Sequence, residues 1–230
     1  MTLQRVNREV LSDLVINRLR SHITSGTWPV GSRIPSEPEL VEQLGVARNT
    51  VRESVRALAH TGLLDIRHGS GTYVQATSEL AGIMRSRFAG AAAEDVAEVR
   101  GTLEARAARL AALRRTPDDL LRLDAALAQR EQAWSSGDRI VFVNADAAFH
   151  LAVVGASHNV VLMELHADLG EVIRESLLDH FRGTLLPEQY QNHARLVEAI
   201  RDQDSELAAS EAASYTERCV PAPHQAASAE

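Results

Sequence analysis

The stretch LGVARNTVRESVRALAHTGLL, residues 44–64, decides the fold of the N-terminal part of this chain. Val51, Val55 and Leu58 recur at three- and four-residue steps, which places them on one face of a helix. Gly45 precedes this pattern, and glycine commonly ends the helix before it. We therefore predict two helices that are joined by a tight glycine turn.

The two helices are predicted over residues 37–44 and 46–60. Ser36 can cap the first of them while Glu39 reaches back as its capping-box partner. Two helices joined by a tight glycine turn form a helix-turn-helix. A further amphipathic helix is predicted ahead of them, over residues 10–24.

Residues 63–74, LLDIRHGSGTYV, read as two short β-prone runs around a glycine-rich tip, which predicts a small hairpin. With the three helices this gives a winged helix-turn-helix. The later part of the chain is helical throughout, with predicted helices over 94–115, 117–135, 138–156, 159–181, 187–202 and 204–219. The predicted fold is mainly α: an N-terminal winged helix-turn-helix (three helices plus a small β-hairpin) followed by an all-α bundle of six or seven helices.

A length of 230 residues, at roughly 100–200 residues per domain, favours two domains. We expect a winged helix-turn-helix domain over residues 1–76 and a linker with a short helix over 77–93. A helical domain is expected over 94–220 and a disordered tail over 221–230.

Composition excludes several classes of protein. With 45% hydrophobic and 24% charged residues, the chain is typical of folded globular proteins. No apolar run approaches the roughly 18 residues that cross a bilayer, and the N-terminus lacks the apolar region of a signal peptide. We expect a cytoplasmic protein without a membrane partner. Cys219 is the only cysteine, which excludes an intrachain disulfide.

The net charge of −7 is unevenly distributed. Residues 1–76 hold nine arginines and seven acidic residues, so this part carries a charge of +2 and the remainder carries −9. The overall acidity therefore does not exclude nucleic acid as a partner of the first domain.

Polar residues at the start of the second helix of the helix-turn-helix are candidates for reading DNA: Arg48, Asn49, Thr50 and Arg52. The N-terminal end of such a recognition helix meets base edges in the major groove. Arginine can bond guanine and asparagine can bond adenine, each through two hydrogen bonds, and Thr50 can reach a base or a phosphate. The alternative is an ordinary surface helix with solvated arginines.

Three segments carry a resemblance to a known family: GSRIPSEPEL at 31–40, residues 44–64, and HGSGTYV at 68–74. In this order they resemble the winged-helix domain of GntR-type bacterial regulators. The resemblance implies a double-stranded DNA operator as the partner.

By this resemblance Arg48 and Arg52 read bases, and His68 with Gly69 places the tip of the wing in the minor groove. Arg33, in the first matching segment, joins the DNA-binding set.

Two positions depart from the family pattern. Pro38 stands where the family often has arginine, and Ala47 stands where serine commonly opens the recognition helix. The second change removes a side-chain cap worth about 1 kcal/mol. Operator preference can therefore differ from that of commoner members.

The second half resembles the FCD domain, the helical effector-binding module of the FadR-like branch. The matching segments are EVRGTLEARAARLAA at 98–112, DAAFHLAVVGASHN at 146–159 and HARLVEAIRDQDSELAA at 193–209.

Asp146 and His150 are four residues apart, so they share one helical face and can converge on a cation. His193 can add a third ligand from another helix. In metal-binding members of the family a fourth ligand is a histidine, and Tyr215 stands at that place. A divalent metal, Zn²⁺ or Ni²⁺, would then have three protein ligands plus water or an effector oxygen. The alternatives are an empty site and a plain hydrogen-bonded pair of Asp146 with His150.

The effector implied by the resemblance is a small molecule, and a carboxylate suits the guanidinium of Arg100. Tyr215 could donate its phenol to such a carboxylate. Asn159 matches an asparagine of the family. Arg100 could instead form a salt bridge, and Asn159 could instead cap a helix.

The function that these features predict is a transcriptional regulator, a repressor, whose operator affinity is controlled by an organic acid. Since one winged helix reads only a half-site, we expect a homodimer. The alternatives are a metal-dependent hydrolase or lyase and an architectural DNA binder. An enzyme is not expected, because the sequence has no H-E-x-x-H, no G-x-S-x-G and no P-loop.

Overall fold

The computed structural model describes residues 11–217. It divides into two compact units, with the boundary in the chain between Arg87 and Phe88. The short helix after the hairpin thus falls in the first unit. Cys219 and the tail predicted at 221–230 lie outside the described residues.

The first unit is a winged helix-turn-helix followed by one helix. Its elements are α1 (Leu11–Thr24), α2 (Glu37–Leu44), α3 (Arg48–His60), β1 (Leu64–Arg67), β2 (Gly71–Val74) and α4 (Glu79–Arg87). The strands are antiparallel, with Leu64 opposite Val74 and Arg67 opposite Gly71. The core contains the periodic residues of α1 and α3 together with residues of the hairpin: Val15, Leu19, Ile23, Val51, Val55, Leu58, Leu63, Leu64 and Val74.

Local sequence explains the turn between α2 and α3. The Glu39 carboxylate accepts hydrogen bonds from the backbone N–H and the hydroxyl of Ser36, at 2.7 and 2.6 Å, which fixes the start of α2. Gly45 ends α2 with φ at 66°, a left-handed conformation that glycine adopts at little cost. Ala47 is the N-cap of α3 and provides no side-chain hydrogen bond.

The second unit contains seven α-helices within the described residues. They are α5 (Ala93–Arg114), α6 (Pro117–Ser135), α7 (Arg139–Ala156), α8 (Val160–Asp168), α9 (Gly170–His180), α10 (Ala194–Arg201) and α11 (Ser205–Glu217), with a 3₁₀ turn at Pro187–Gln189. Helix α5 packs against α7 and α11, and α6 packs against α7. The predicted fold class, a winged helix-turn-helix followed by a helical bundle, is confirmed.

Two predicted helices differ in the structure. The helix predicted over 159–181 is divided at Leu169 into α8 and α9. The helix predicted over 187–202 is only the 3₁₀ turn and α10, because the Asn192 side chain accepts a hydrogen bond from the Ala194 N–H at 2.8 Å and starts a new helix there. This second break leaves His193 at the N-cap of α10.

Helix α7 is long and apolar enough to cross a membrane by length and composition alone, the one such helix among the described residues. The structure buries 44% of it inside the protein, as expected of a core helix.

Helix α4 touches the end of α3 backbone to backbone. Gly62 follows α3 and Gly82 lies within α4, and a Cβ built on Gly82 would lie 2.6 Å from the carbonyl oxygen of Gly62. A Cβ on Gly62 would in turn lie 3.0 Å from the Gly82 Cα. The Arg20 guanidinium of α1 also donates to Glu79 of α4 at 2.8 Å.

We expect Gly82→Ala to destabilise the first unit, although alanine favours helices by about 1 kcal/mol over glycine. The added methyl group meets backbone that cannot rotate away, and such overpacking costs about 1–3 kcal/mol. Urea denaturation followed by circular dichroism measures the change. Gly155→Ala in α7 is the control, since its Cβ meets nothing within 4 Å and should stabilise the protein. Equal stabilisation by both variants would contradict the close contact.

Candidate functional site

The exposed end of α3 carries the predicted DNA-reading residues. Arg48, Asn49 and Arg52 are exposed, and Thr50 is half-buried. The opposite face of the helix is fixed in the core by Val51, Val55 and Leu58. Packing of the apolar stripe therefore turns the polar residues toward solvent, where the groove of a DNA duplex could receive them.

Arg48 also lies near an acidic residue of α2. Its Nε is 3.6 Å from Glu37 Oε2, and the Arg48 side chain is 69% exposed. A pair this open to solvent contributes little stability, so the guanidinium can exchange it for a base or phosphate.

The wing places His68 and Gly69 at its exposed tip, where Gly69 has φ at 76°. Arg33 forms a β-bridge with Tyr73. A Cβ built on Gly71 would lie only 2.5 Å from Nε of the Arg33 side chain. Glycine at position 71 thus lets the exposed Arg33 lie across the wing. The first unit presents all seven predicted DNA-binding residues, and six of them are exposed.

A buried polar cluster lies in the second unit. Asp146 and His150 project from α7 and His193 from the N-cap of α10, and one ligand atom from each lies within 4.8 Å of the other two. All three side chains are buried. The structure therefore brings the three predicted metal ligands together.

Each histidine of this cluster has an acceptor behind it. His193 Nδ1 lies 2.9 Å from the Gln191 carbonyl oxygen, and His150 Nδ1 lies 2.8 Å from Glu104 Oε2, at an angle that departs from an ideal hydrogen bond. The Gln191 carbonyl can only accept, so in the neutral ring of His193 Nδ1 carries the proton and the other nitrogen, Nε2, keeps a lone pair.

The Nε2 atom of His193 has no hydrogen-bond partner among the described residues, although it is buried. His150 Nε2 lies 3.8 Å from Asp146 Oδ1. A buried lone pair without a donor costs free energy, and a metal ion would satisfy it. The donor set of two imidazoles and a carboxylate fits Zn²⁺ or Ni²⁺.

The charge states of the cluster suit a metal. Burial lowers the pKa of His193 to about 2, and the guanidinium of Arg130 acts in the same direction, so this ring is neutral. Burial alone would raise the pKa of Asp146, but nearby positive charge, including the guanidiniums of Arg130 and Arg100, outweighs it and holds the pKa well below its usual range. Neutral imidazole and ionised carboxylate are the forms that bind metals.

Two arginines donate hydrogen bonds to the carboxylate of Asp146. Arg130 Nε donates to Asp146 Oδ1 at 2.7 Å, and an Arg100 Nη donates to Oδ2 at 3.4 Å. Arg100 Nε also donates to Glu104 Oε1 at 2.7 Å. Burial raises the pKa of Glu104, but Arg100 and His150 reverse this and place the pKa well below its usual range.

These groups surround a cavity of about 20 Å³, room for one water-sized species. It is lined by the three predicted metal ligands, by both arginines, and by Leu177, Phe181, Gln189, Gln191 and Tyr215.

Tyr215 is buried beside His193, and the two rings stack with centroids 3.9 Å apart. The phenol donates to the Asn192 carbonyl at 3.2 Å and lies 3.3 Å from Glu211 Oε2. It therefore forms part of the wall, with its hydroxyl engaged by the protein.

Asn159 is not brought to this cavity. It is the N-cap of α8, and its side-chain oxygen accepts from the Leu162 N–H at 3.2 Å. This is the helix-capping alternative that its sequence position left open.

Sequence reasoning missed Arg130 and Glu104. Arg130 continues the core face of α6 after Leu123 and Leu127, and Glu104 lies one turn after Arg100 on the buried face of α5. A charged residue at a core position of an amphipathic helix is the signal that could have found both.

A winged helix that presents arginines, followed in the chain by a helical unit with a buried polar cavity, defines the class of ligand-responsive DNA-binding regulators. Residues 11–74 match the family of bacterial regulatory proteins, gntR family, and residues 95–218 match the FCD domain. The chain belongs to the GntR family, in its FadR-like branch.

Known relatives agree with this assignment. The chain is 31% identical to the galactonate operon transcriptional repressor of Escherichia coli (strain K12) over 218 residues, 90% of this chain and 92% of the relative. It is 33% identical to the HTH-type transcriptional regulator LutR of Bacillus subtilis (strain 168), over 77% of this chain and 85% of the relative. A solved structure, Streptococcus agalactiae GntR, is 29% identical with a TM-score of 0.51, over 90% of this chain and 97% of that one.

The protein is therefore a DNA-binding transcriptional regulator, and its FCD domain implies a small-molecule effector. It is not an enzyme, and the hydrolase or lyase alternative is not favoured, because the relatives are regulators.

Proposed function

We propose that this protein is a metal-dependent, carboxylate-responsive repressor that acts as a homodimer in the cytoplasm. The observation that carries the proposal is the buried Nε2 of His193, which has no hydrogen-bond partner within residues 11–217 and lies within 4.8 Å of ligand atoms of a carboxylate and a second histidine. Arg33, Arg48, Asn49, Thr50, Arg52, His68 and Gly69 would contact the operator.

The metal would be Zn²⁺ or Ni²⁺, held by Asp146, His150 and His193. Three protein ligands leave at least one coordination position for a water or an effector oxygen. A bound metal would supply positive charge and a Lewis-acidic position for an anionic oxygen.

Charge balance favours an anionic effector. Without metal, the buried charges of Arg100 and Arg130 balance those of Glu104 and Asp146 when the histidines are neutral. A divalent cation adds two positive charges in a buried place, and uncompensated buried charge is costly. A small carboxylate beside Arg100 and Arg130 would offset it through charge-assisted hydrogen bonds.

The name of one relative, the galactonate operon transcriptional repressor, also supports a carboxylate effector, since galactonate is a hydroxy carboxylate. That relative is described as a repressor, which supports repression of transcription by this protein as well. Tyr215 would shape the wall next to the effector, while Asn159 would act only through the start of α8.

A homodimer would present two winged helices to two half-sites of a palindrome. Four exposed large apolar side chains lie within the first six residues of α8 and support self-association, since exposed apolar surface can mark an interface: Val160, Val161, Met163 and Leu165.

We expect a small carboxylate to release the metal-loaded protein from its operator. Typical allosteric couplings of 1–3 kcal/mol correspond to an increase in apparent Kd of about 5- to 150-fold. Fluorescence anisotropy on an operator selected from random-sequence DNA measures it, with galactonate as the first carboxylate and galactose as the uncharged control. Protein treated with a chelator should not respond. An equal response without metal would exclude the metal's role, and no response to any small carboxylate would exclude the effector class.

A further inference from the structure

We infer that Glu104 is a positioning residue for the metal site, which fixes the proton of His150 on Nδ1 and so presents its Nε2 to the metal. The inference rests on the metal site of the proposed function and goes beyond it by adding a residue that is not itself a ligand.

Glu104 is 1% exposed and lies on α5, opposite the ligand-bearing face of α7. Its Oε2 is 2.8 Å from His150 Nδ1. Its Oε1 lies 2.7 Å from Arg100 Nε and 3.0 Å from His166 Nε2. Oε1 is therefore held by two hydrogen-bonding partners, which leaves Oε2 directed at His150.

An ionised carboxylate accepts hydrogen bonds and has none to donate. The ion pair with Arg100 keeps Glu104 in this form. A ring nitrogen of His150 that faces Glu104 must therefore carry the hydrogen, and the opposite nitrogen is left as the metal donor. Carboxylates placed behind metal-binding histidines in this way orient the ring and make it more basic.

The other two ligands are supported in the same manner. Gln191 accepts from Nδ1 of His193, and Arg130 donates to Asp146. Glu104 differs from these supports because it also binds His166 of α8, so a single carboxylate joins α5, α7 and α8 at the metal site.

A purely structural role for Glu104, as the partner of buried Arg100, is the competing explanation. The two roles differ in what they fix, because a structural ion pair does not determine which nitrogen of His150 carries the proton. The position of that proton can be read in the metal-free protein by ¹⁵N NMR of the histidine side chains in mildly alkaline buffer.

The test compares wild type, Glu104→Gln and the control Asp119→Asn. Asp119 is also buried and paired with an arginine and a histidine, Arg122 and His158, but it does not line the cavity. We expect Glu104→Gln to weaken Zn²⁺ or Ni²⁺ binding by about 10- to 100-fold in competition with a chromophoric chelator. Asp119→Asn should leave the affinity unchanged while lowering thermal stability.

We further expect metal-free wild type to show His150 protonated on Nδ1, and Glu104→Gln to lose this preference. A folded Glu104→Gln variant with wild-type metal affinity would overturn this inference but not the proposed metal site. If that variant does not fold, the ¹⁵N spectrum of metal-free wild type is the test. A proton on Nε2 of His150 in that spectrum would overturn the inference. Wild type that binds neither metal would instead overturn the proposed metal site, and the role of Glu104 with it.

Discussion

Arg52→Ala should raise the Kd for the operator by about 5- to 150-fold, the effect of losing a base contact worth about 1–3 kcal/mol. Arg52 is exposed at the N-terminal half of α3, with the helix fixed from behind by Val51 and Val55. The fold should survive, because the guanidinium contributes nothing to the core. Arg48→Ala is expected to behave in the same way. Titration of labelled operator at fixed salt measures both.

The control for this experiment is Arg182→Ala, which removes the same charge from a side chain that is 76% exposed in the second unit. It should change operator binding little. A base contact also differs from a phosphate contact, because its loss reduces discrimination between operator and random DNA, whereas a phosphate contact affects both. Operator affinity equal to wild type in both α3 variants would refute the proposed groove contact.

His193→Ala should reduce affinity for Zn²⁺ or Ni²⁺ by more than about 100-fold, because loss of a ligand exceeds the 10- to 100-fold cost of losing a supporting residue. Wild type should also gain about 2.7 kcal/mol of stability when free metal is 100 times Kd, and the variant should gain almost none. The change caused by metal within each protein is the quantity to compare, since His193→Ala also removes the ring that stacks on Tyr215.

His60→Ala is the matched control for metal binding, since His60 is an exposed histidine of the first unit, in the last turn of α3. It should retain the full shift in melting temperature on addition of metal. The same shift in His193→Ala would show that the metal binds elsewhere.

Periodicity and capping signals predicted most of the fold. The stripe of Val51, Val55 and Leu58 and the glycine at position 45 were sufficient for the helix-turn-helix, because each is a local property of a few neighbouring residues. The hairpin followed from its β-prone runs around a glycine-rich tip.

The loop before α10 could not be predicted in this way. Residues 190–193 are non-helical because the Asn192 side chain accepts from the Ala194 N–H where α10 begins and because Arg130 of α6 donates to the Gln191 carbonyl at 3.0 Å. That contact spans 61 residues of sequence, and no local pattern reveals it. Yet it is this loop that turns His193 into the cavity.

The candidate site was predicted in part. Spacing placed Asp146 and His150 on one face, and family resemblance added His193 and Arg100. Arg130 and Glu104 required the tertiary structure, since a charged residue on an apolar face can be accounted for only when its partner on another helix is seen.

The contact between Gly62 and Gly82 has a mechanical consequence. Side chains packed between two helices can change rotamer and absorb a small displacement, whereas two touching backbones have no such layer to deform. A tilt of α4 at this contact would therefore press directly on the backbone of Gly62, in the turn that joins α3 to β1.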